Sequence, residues 1–303
     1  MTALDRLRGC LLGLACGDAL GASVKLRPPG SFSPLVDMVG GGPFHLAPGQ
    51  WTDDTSMALC LASSLVAQRC FDPLDQMQRY CKWEDEGYLS STGYSFDAGG
   101  TFSSALKSFR RTGDPFSGSP EGAACNGGIV RLAPVPMFFH RSPVTAVEMS
   151  AESARTTHGA RESLDGAMLF GSMLCKAFAG LPKEEILFGP HLPPGCDVEL
   201  CDSVLAVARG TYRDQLEGAF RGSSYVVKSL EAALWCFYRC ESYVDAVLAA
   251  ANLGDNADST AAICGQIAGA HYGESGIPLS WRRTLAMREL IEALADKLHV
   301  GGK

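Results

Sequence analysis

The chain has 303 residues, 46% apolar and 19% charged, enough to build a large core and too hydrophobic for intrinsic disorder. Its 33 acidic and 26 basic residues give a formal charge of −7. No Lys/Arg run exceeds a pair, so no electrostatic nucleic-acid footprint is expected.

Leu4, Leu7, Leu11 and Leu14 recur at spacings of three and four and predict a first helix. Gly13, Gly17 and Gly21 recur every four residues on the same segment. Glycine is costly in a helix interior, so this ridge implies unusually close backbone packing or a helix that stops near Gly17. Arg6 and Arg8 before the apolar stretch Cys10–Cys16 faintly suggest a secretory leader. The stretch is short and runs into Gly17-Asp18 without a cleavage pattern, so none is expected. No apolar run is expected to reach the ~20 residues that span a bilayer, and no membrane partner is expected.

A Gly/Pro-rich loop, 27–50, leads to Thr52, a good N-cap for an apolar helix over 56–67. Further helices are predicted over 145–155, 162–179, 229–238, 243–251, 260–272 and 285–298. The 260–272 segment carries a second small-residue series, Gly265, Gly269 and Gly273. Loops are expected at 111–128 and 189–197. Alternating β-branched runs are nearly absent. The expected fold is all-α: a single compact domain over 1–303, with helices packed where small residues cluster. Twelve cysteines without a CxxC or zinc-finger spacing read as reduced thiols of a cytoplasmic protein.

Asp53 and Asp54 follow Thr52 in a first helical turn, where carboxylates favour the helix dipole and need no further function. A second oxygen-rich helix start, Asn252–Thr260, and the intrahelical Asp18 give that position another meaning. If these segments meet, they form a hard-ligand cage suited to Mg²⁺ or Mn²⁺. The stretches Ser95–Thr101 and Cys125–Gly128 each read two ways, as a turn before a helix or as a glycine loop that admits a phosphate. His158, a lone histidine, reads first as structural.

Taken in order, Gly17–Gly21, Trp51–Thr55 and Asn252–Tyr272 resemble the ADP-ribosylglycohydrolase family. Supporting motifs are Ser90–Gly93, Phe96-Asp97, Asn126–Gly128 with Arg131–Pro134, Thr157-His158 and Gly222–Val227. The resemblance implies an all-α, dinuclear Mg²⁺- or Mn²⁺-dependent hydrolase. Such an enzyme removes ADP-ribose from a modified protein side chain, arginine first by analogy. It implies Thr52, Asp53 and Asp54 as one ligand set and Asn256, Asp258 and Ser259 as the other. It also implies Asp97 and Asp54 as catalytic carboxylates. The implied substrate contacts are Asp18, Thr92, Gly99, Gly100, the Asn126-Gly127-Gly128 turn, His158, Ser224 and Tyr225.

Three positions depart from the family pattern. Lys25 replaces a Glu, Asn256 an Asp and Ser259 a Thr. Loss of negative charge at the first two predicts unequal cation sites, the Asn256 side weaker. It also motivates an alternative, an ADP-ribose-binding or sensing protein with reduced turnover.

Overall fold

The structure is a computed structural model and describes residues 1–216 and 218–301. It is all-α; among the described residues the only β pairing is two isolated bridges, Gly41–Leu46 and Cys125–Tyr225. The helices are α1 (Ala3–Gly21), α2 (Asp53–Gln68), α3 (Pro73–Glu86), α4 (Gly100–Thr112), α5 (Gly127–Val130), α6 (Pro134–Phe138), α7 (Pro143–Arg155) and α8 (Arg161–Phe178). They continue with α9 (Lys183–Phe188), α10 (Asp202–Ala208), α11 (Val226–Arg239), α12 (Tyr243–Ala251), α13 (Ala257–Tyr272), α14 (Leu279–Thr284) and α15 (Arg288–Gly301).

At the centre, α1 and α13 run antiparallel with their backbones almost touching. A Cβ on Gly9 would lie 2.2 Å from the Gly269 carbonyl oxygen, and one on Gly13 would lie 2.2 Å from that of Gly265. On Gly17 and Gly21 it would lie 2.1 Å and 2.4 Å from the carbonyl oxygens of Ala261 and Ala257. The glycine ridge is therefore a close-packing seam, and α1 continues past Gly17 to Gly21. The Tyr243 hydroxyl donates to the Gly13 carbonyl at 2.9 Å and pins the middle of the seam.

The seam changes the reading of the N-terminus. Ala3–Val24 is long and apolar enough to cross a membrane, contrary to expectation, yet 89% of its apolar window is buried inside the fold. Its buried leucines and cysteines raise its mean hydropathy, while its glycines make the contact with α13.

The α2 start matches expectation. Thr52 is the N-cap, its hydroxyl accepts from the Asp54 N–H, and Asp53 and Asp54 stand in the first turn. The sequence pattern missed α3, and of the two readings of Ser95–Thr101 the turn before a helix is found, that helix being α4; both helices are amphipathic and charge-rich. Their apolar faces meet α2 in a satellite core of Met57, Cys60, Met77, Tyr80, Trp83, Phe102 and Leu106, and this core holds the α4 N-terminus beside α2. The terminal segment predicted over 285–298 is divided. Met287 takes a left-handed conformation (φ 50°), and the last helix starts at Arg288.

The seam gives a direct test. Gly13→Ala forces backbone against backbone and should cost upwards of ~3 kcal/mol, at the high end of overpacking effects. Gly100→Ala, which meets nothing within 4 Å, should leave the melting temperature unchanged or slightly raised. Thermal unfolding of the two variants decides it; equal Tm values would mean the seam is not a tight contact.

Candidate active site

The seam places two carboxylates where water would ordinarily be required. Asp18, one residue beyond Gly17, and Asp258, at the second position of α13, are both fully buried. Asp54 joins them from α2, and one oxygen from each of the three lies within 4.8 Å of the others. Asp18 is held by the start of α2. It accepts from the Thr52 N–H at 3.1 Å, the Thr52 hydroxyl at 2.8 Å, the Thr55 N–H at 3.0 Å and the Thr55 hydroxyl at 2.6 Å. A carboxylate at a helix N-terminus is favoured by the dipole and by the unpaired N–H groups.

Above this cluster opens a cavity of about 320 Å³. Asp53, Asp54 and Asp97 line one side of it. Gly99, Gly100, Asn126 and Gly127 line another, with His158, Arg131, Ser224, Asn256 and Ser259 completing the wall. Asp97 adopts a left-handed backbone (φ 69°), rare for a residue with a Cβ, immediately before the glycines that open α4.

The electrostatics are dominated by like charge. Burial and Asp258 push the Asp18 carboxyl up to about 6. Burial, Asp258 and Asp18 raise Asp54 well above the usual range, although the Ser259 hydroxyl donates to it at 2.8 Å. Burial and the neighbours Asp54 and Asp97 raise Asp53. Burial raises Asp97 to about 6 against the pull of Lys25. Lys25 is the counter-charge. Its ammonium donates to Asp258 at 2.6 Å and pairs with Asp97. Burial opposes that ammonium, but Asp258, Asp53 and Asp97 outweigh it and hold the group above its ordinary value. One ammonium among five carboxyl groups leaves a pit rich in oxygen donors. Such a pit could hold a hard divalent cation.

A second chain of bonds fixes the opposite wall. Arg131 is fully buried, stacks over the Tyr80 ring at 4.8 Å and donates to the Thr157 hydroxyl at 2.6 Å. That hydroxyl lies 2.8 Å from His158 Nδ1. Arg131 can only donate, so the Thr157 hydroxyl accepts from it, and we assign its own O–H as the donor in the hydrogen bond to His158 Nδ1. The ring proton therefore sits on Nε2, beside Gly127. Burial and Arg131 lower the His158 pKa to about 3, so the imidazole is neutral.

The residues expected from sequence divide clearly. Asp53, Asp54, Asp97, Gly99, Gly100, Asn126, Gly127, His158, Ser224, Asn256 and Ser259 meet in the cavity wall. Asp18 and Thr52 lie beneath it, bonded to each other, so Asp18 orients α2 and is shielded from substrate. Thr92 is turned into its own loop, its hydroxyl donating to the Tyr94 carbonyl at 3.1 Å. Tyr225 donates to Glu162 at 2.6 Å outside the wall, and buried Gly128 packs against Ala154. None of these five lines the cavity. Asn256 turns its oxygen to the Asn126 side-chain amide at 3.0 Å. Arg131 had no role assigned from sequence. Its signal was a lone cation inside the apolar run Ile129–Val135.

The full chain, residues 1–302, matches the ADP-ribosylglycohydrolase family. It is 40% identical over 296 residues to the ADP-ribosylarginine hydrolase Tri1 of Serratia proteamaculans, covering 97% of this chain and 79% of that one. It is 29% identical over 290 residues to the ADP-ribosyl-[dinitrogen reductase] glycohydrolase of Rhodospirillum rubrum, covering 94% of this chain and 91% of that one. A solved structure, an ADP-ribosylglycohydrolase-related protein complex, superposes with a TM-score of 0.87 at 42% identity over 99% of both chains.

The neutral His158 carries a pH prediction. Its folded pKa lies below the unfolded value of 6.5, so its contribution is complete above pH 6.5 and is lost as pH falls toward about 3. Urea unfolding of wild type and His158→Asn at pH 7 and pH 5 should show the wild type losing about 1.4 kcal/mol more per pH unit below 6.5. Parallel losses would show that this ring is not buried neutral.

Proposed function

This chain belongs to the ADP-ribosylglycohydrolase family, and from that premise we propose that it hydrolyses the bond between ADP-ribose and an arginine side chain, using Mg²⁺ or Mn²⁺. The observation that carries the reading is the convergence of Asp54, Asp97 and Asp258 at the floor of a cavity walled by glycine loops. In the overall reaction, a water oxygen bonds to the anomeric carbon, the carbon–nitrogen bond breaks, and a proton goes to the departing guanidine.

Thr52, Asp53, Asp54 and Asp258 would hold the divalent ion, with Asn256 and Ser259 alongside. An all-oxygen donor set with several carboxylates selects Mg²⁺ or Mn²⁺ over softer metals. When bound, the ion supplies concentrated positive charge at the reacting end of the substrate. Asp97 faces the same space and acts as acceptor for the water proton. Its burial keeps it basic enough for that task, and the bond from Lys25 fixes its rotamer.

The nucleotide end is bound by the opposite wall. The α4 N-terminus has glycine as its cap and no side chain over it, and Gly99 and Gly100 have open space where a Cβ would project. A diphosphate can approach these N–H groups closely, with the helix dipole in its favour. His158 Nε2–H is a second donor near Gly127, and Ser224 a third. The Asn126 amide is already spent on Ser223, Ser229 and Asn256, so it braces the wall while the adjacent backbone does the binding. The twelve free thiols suit a reducing, cytoplasmic setting.

Lys25 within the carboxylate set favours a second reading, an ADP-ribose sensor with little turnover. One assay separates them. ADP-ribosylarginine incubated with the protein and Mn²⁺ should release free ADP-ribose, and chelator should stop the release. Asp97→Asn should slow it by at least ~10²-fold while ADP-ribose binding by calorimetry persists. Binding without release in the wild type would establish the sensor; release indifferent to Asp97→Asn would remove that carboxylate from the mechanism. Gly127→Ala, whose Cβ would press within 2.6 Å of His158 Nε2, should weaken ADP-ribose binding and leave metal content unchanged.

A further inference from the structure

The backbone immediately after Lys25 is tied down. The Leu26 N–H donates to the Asp255 carbonyl at 2.7 Å, and the Asp255 N–H donates to the Arg27 carbonyl at 2.8 Å. These reciprocal bonds staple the chain after α1 to the loop that precedes α13. Leu26 and Asp255 both take left-handed conformations there, with φ of 64° and 50°. Lys25 directly precedes this staple, and its side chain, turned into the cavity wall, is 8% exposed.

Its ammonium sits between Asp97 and Asp258. Asp258 is thus shared. It pairs with Lys25 on one side and belongs with Asp18 and Asp54 to the buried oxygen cluster on the other. On the Lys25 side the remaining neighbour of Asp258 is the Asn256 carboxamide. Its nitrogen faces Asp258 Oδ1 at 3.5 Å, and its oxygen is taken by Asn126. That face therefore presents an ammonium and N–H groups to any incoming cation, whereas the Asp54 face presents carboxylate oxygens.

We propose that the Lys25 ammonium is a built-in cation occupying one of two adjacent cation positions, so that the cavity accepts one divalent ion, on the Asp54 side of Asp258. This deepens the hydrolase reading and rests on it only for divalent-ion binding. Lys25 acts as a positioning residue: it holds Asp97 and Asp258 in place whether or not a divalent ion is bound.

The test is the binding stoichiometry of Mn²⁺, read by calorimetry and by the EPR signal of free Mn²⁺ on metal-stripped protein. Wild type should bind one equivalent. Lys25→Gln and Lys25→Glu should bind a second, with affinity at that position raised at least about a hundredfold. Metal-free Lys25→Gln should also melt below metal-free wild type and recover with Mn²⁺, because its carboxylates have lost their counter-charge. Two equivalents in wild type, or one in both wild type and a folded Lys25→Gln, would overturn the proposal. The wild-type stoichiometry decides the matter even if both variants fail to fold. No binding by any of the proteins would also overturn it, and ADP-ribose release measured in parallel shows whether the hydrolase reading falls with it.

Discussion

The contact on which the rest of this protein depends is the glycine seam between α1 and α13. Where a carbonyl oxygen of the facing helix lies about 2 Å from the point at which a side chain would begin, the line of contact can accept only glycine. The seam costs helix propensity at Gly9, Gly13, Gly17 and Gly21. In return it brings the backbones close enough for Asp18 and Asp258 to share one buried pocket. With ordinary spacing between the axes, each carboxylate would find its own water. At this spacing they must share whatever positive charge is available.

That charge comes from several sources of different strength. The α2 N-terminus gives Asp18 its N–H and hydroxyl donors. Ser259 gives Asp54 one neutral hydrogen bond. Lys25 gives Asp97 and Asp258 a full charge, and the staple to the Asp255 loop directly follows it. The total falls short of the five carboxylates; burial first, and then their mutual repulsion, raises Asp18, Asp53, Asp54 and Asp97. A site poised in this way is destabilising to the unliganded fold and receptive to a cation, the usual relation between stability and function in an active site.

The opposite wall solves a different problem by similar means. Arg131 is a buried guanidinium with an aromatic face beneath it and the Thr157 hydroxyl in front. Burial, with Arg131 adding to it, excludes a second proton from the His158 ring. Gln266 on α13 ties this wall to the seam, accepting from the Ala133 N–H at 2.8 Å and donating to the Val130 carbonyl at 2.8 Å. Both walls of the cavity thus take their registration from the same helix, and a displacement of α13 would move the acidic floor and the His158 wall together.

Much of this was legible in the sequence. Apolar spacing gave the all-α class and most of the longer helices. Thr52 before two aspartates fixed the start of α2, and the four-residue glycine period announced a close contact without naming the partner. The ordered motifs gave the family and most of the cavity wall. Other features required the tertiary structure. The amphipathic, charge-rich α3 and α4 carry few apolar residues, and only packing against α2 shows which face is inward. Whether Asp18 meets substrate or orients a helix depends on two threonines more than thirty residues away. Tyr225 and Thr92 stand in motif positions but spend their hydroxyls on Glu162 and Tyr94. The role of Lys25 depends most on the fold. In sequence the family pattern puts Lys25 beside the cation site, and only the fold shows that its ammonium pairs with both Asp97 and Asp258. A charge pattern specifies which groups can attract one another; the backbone path decides which of them meet.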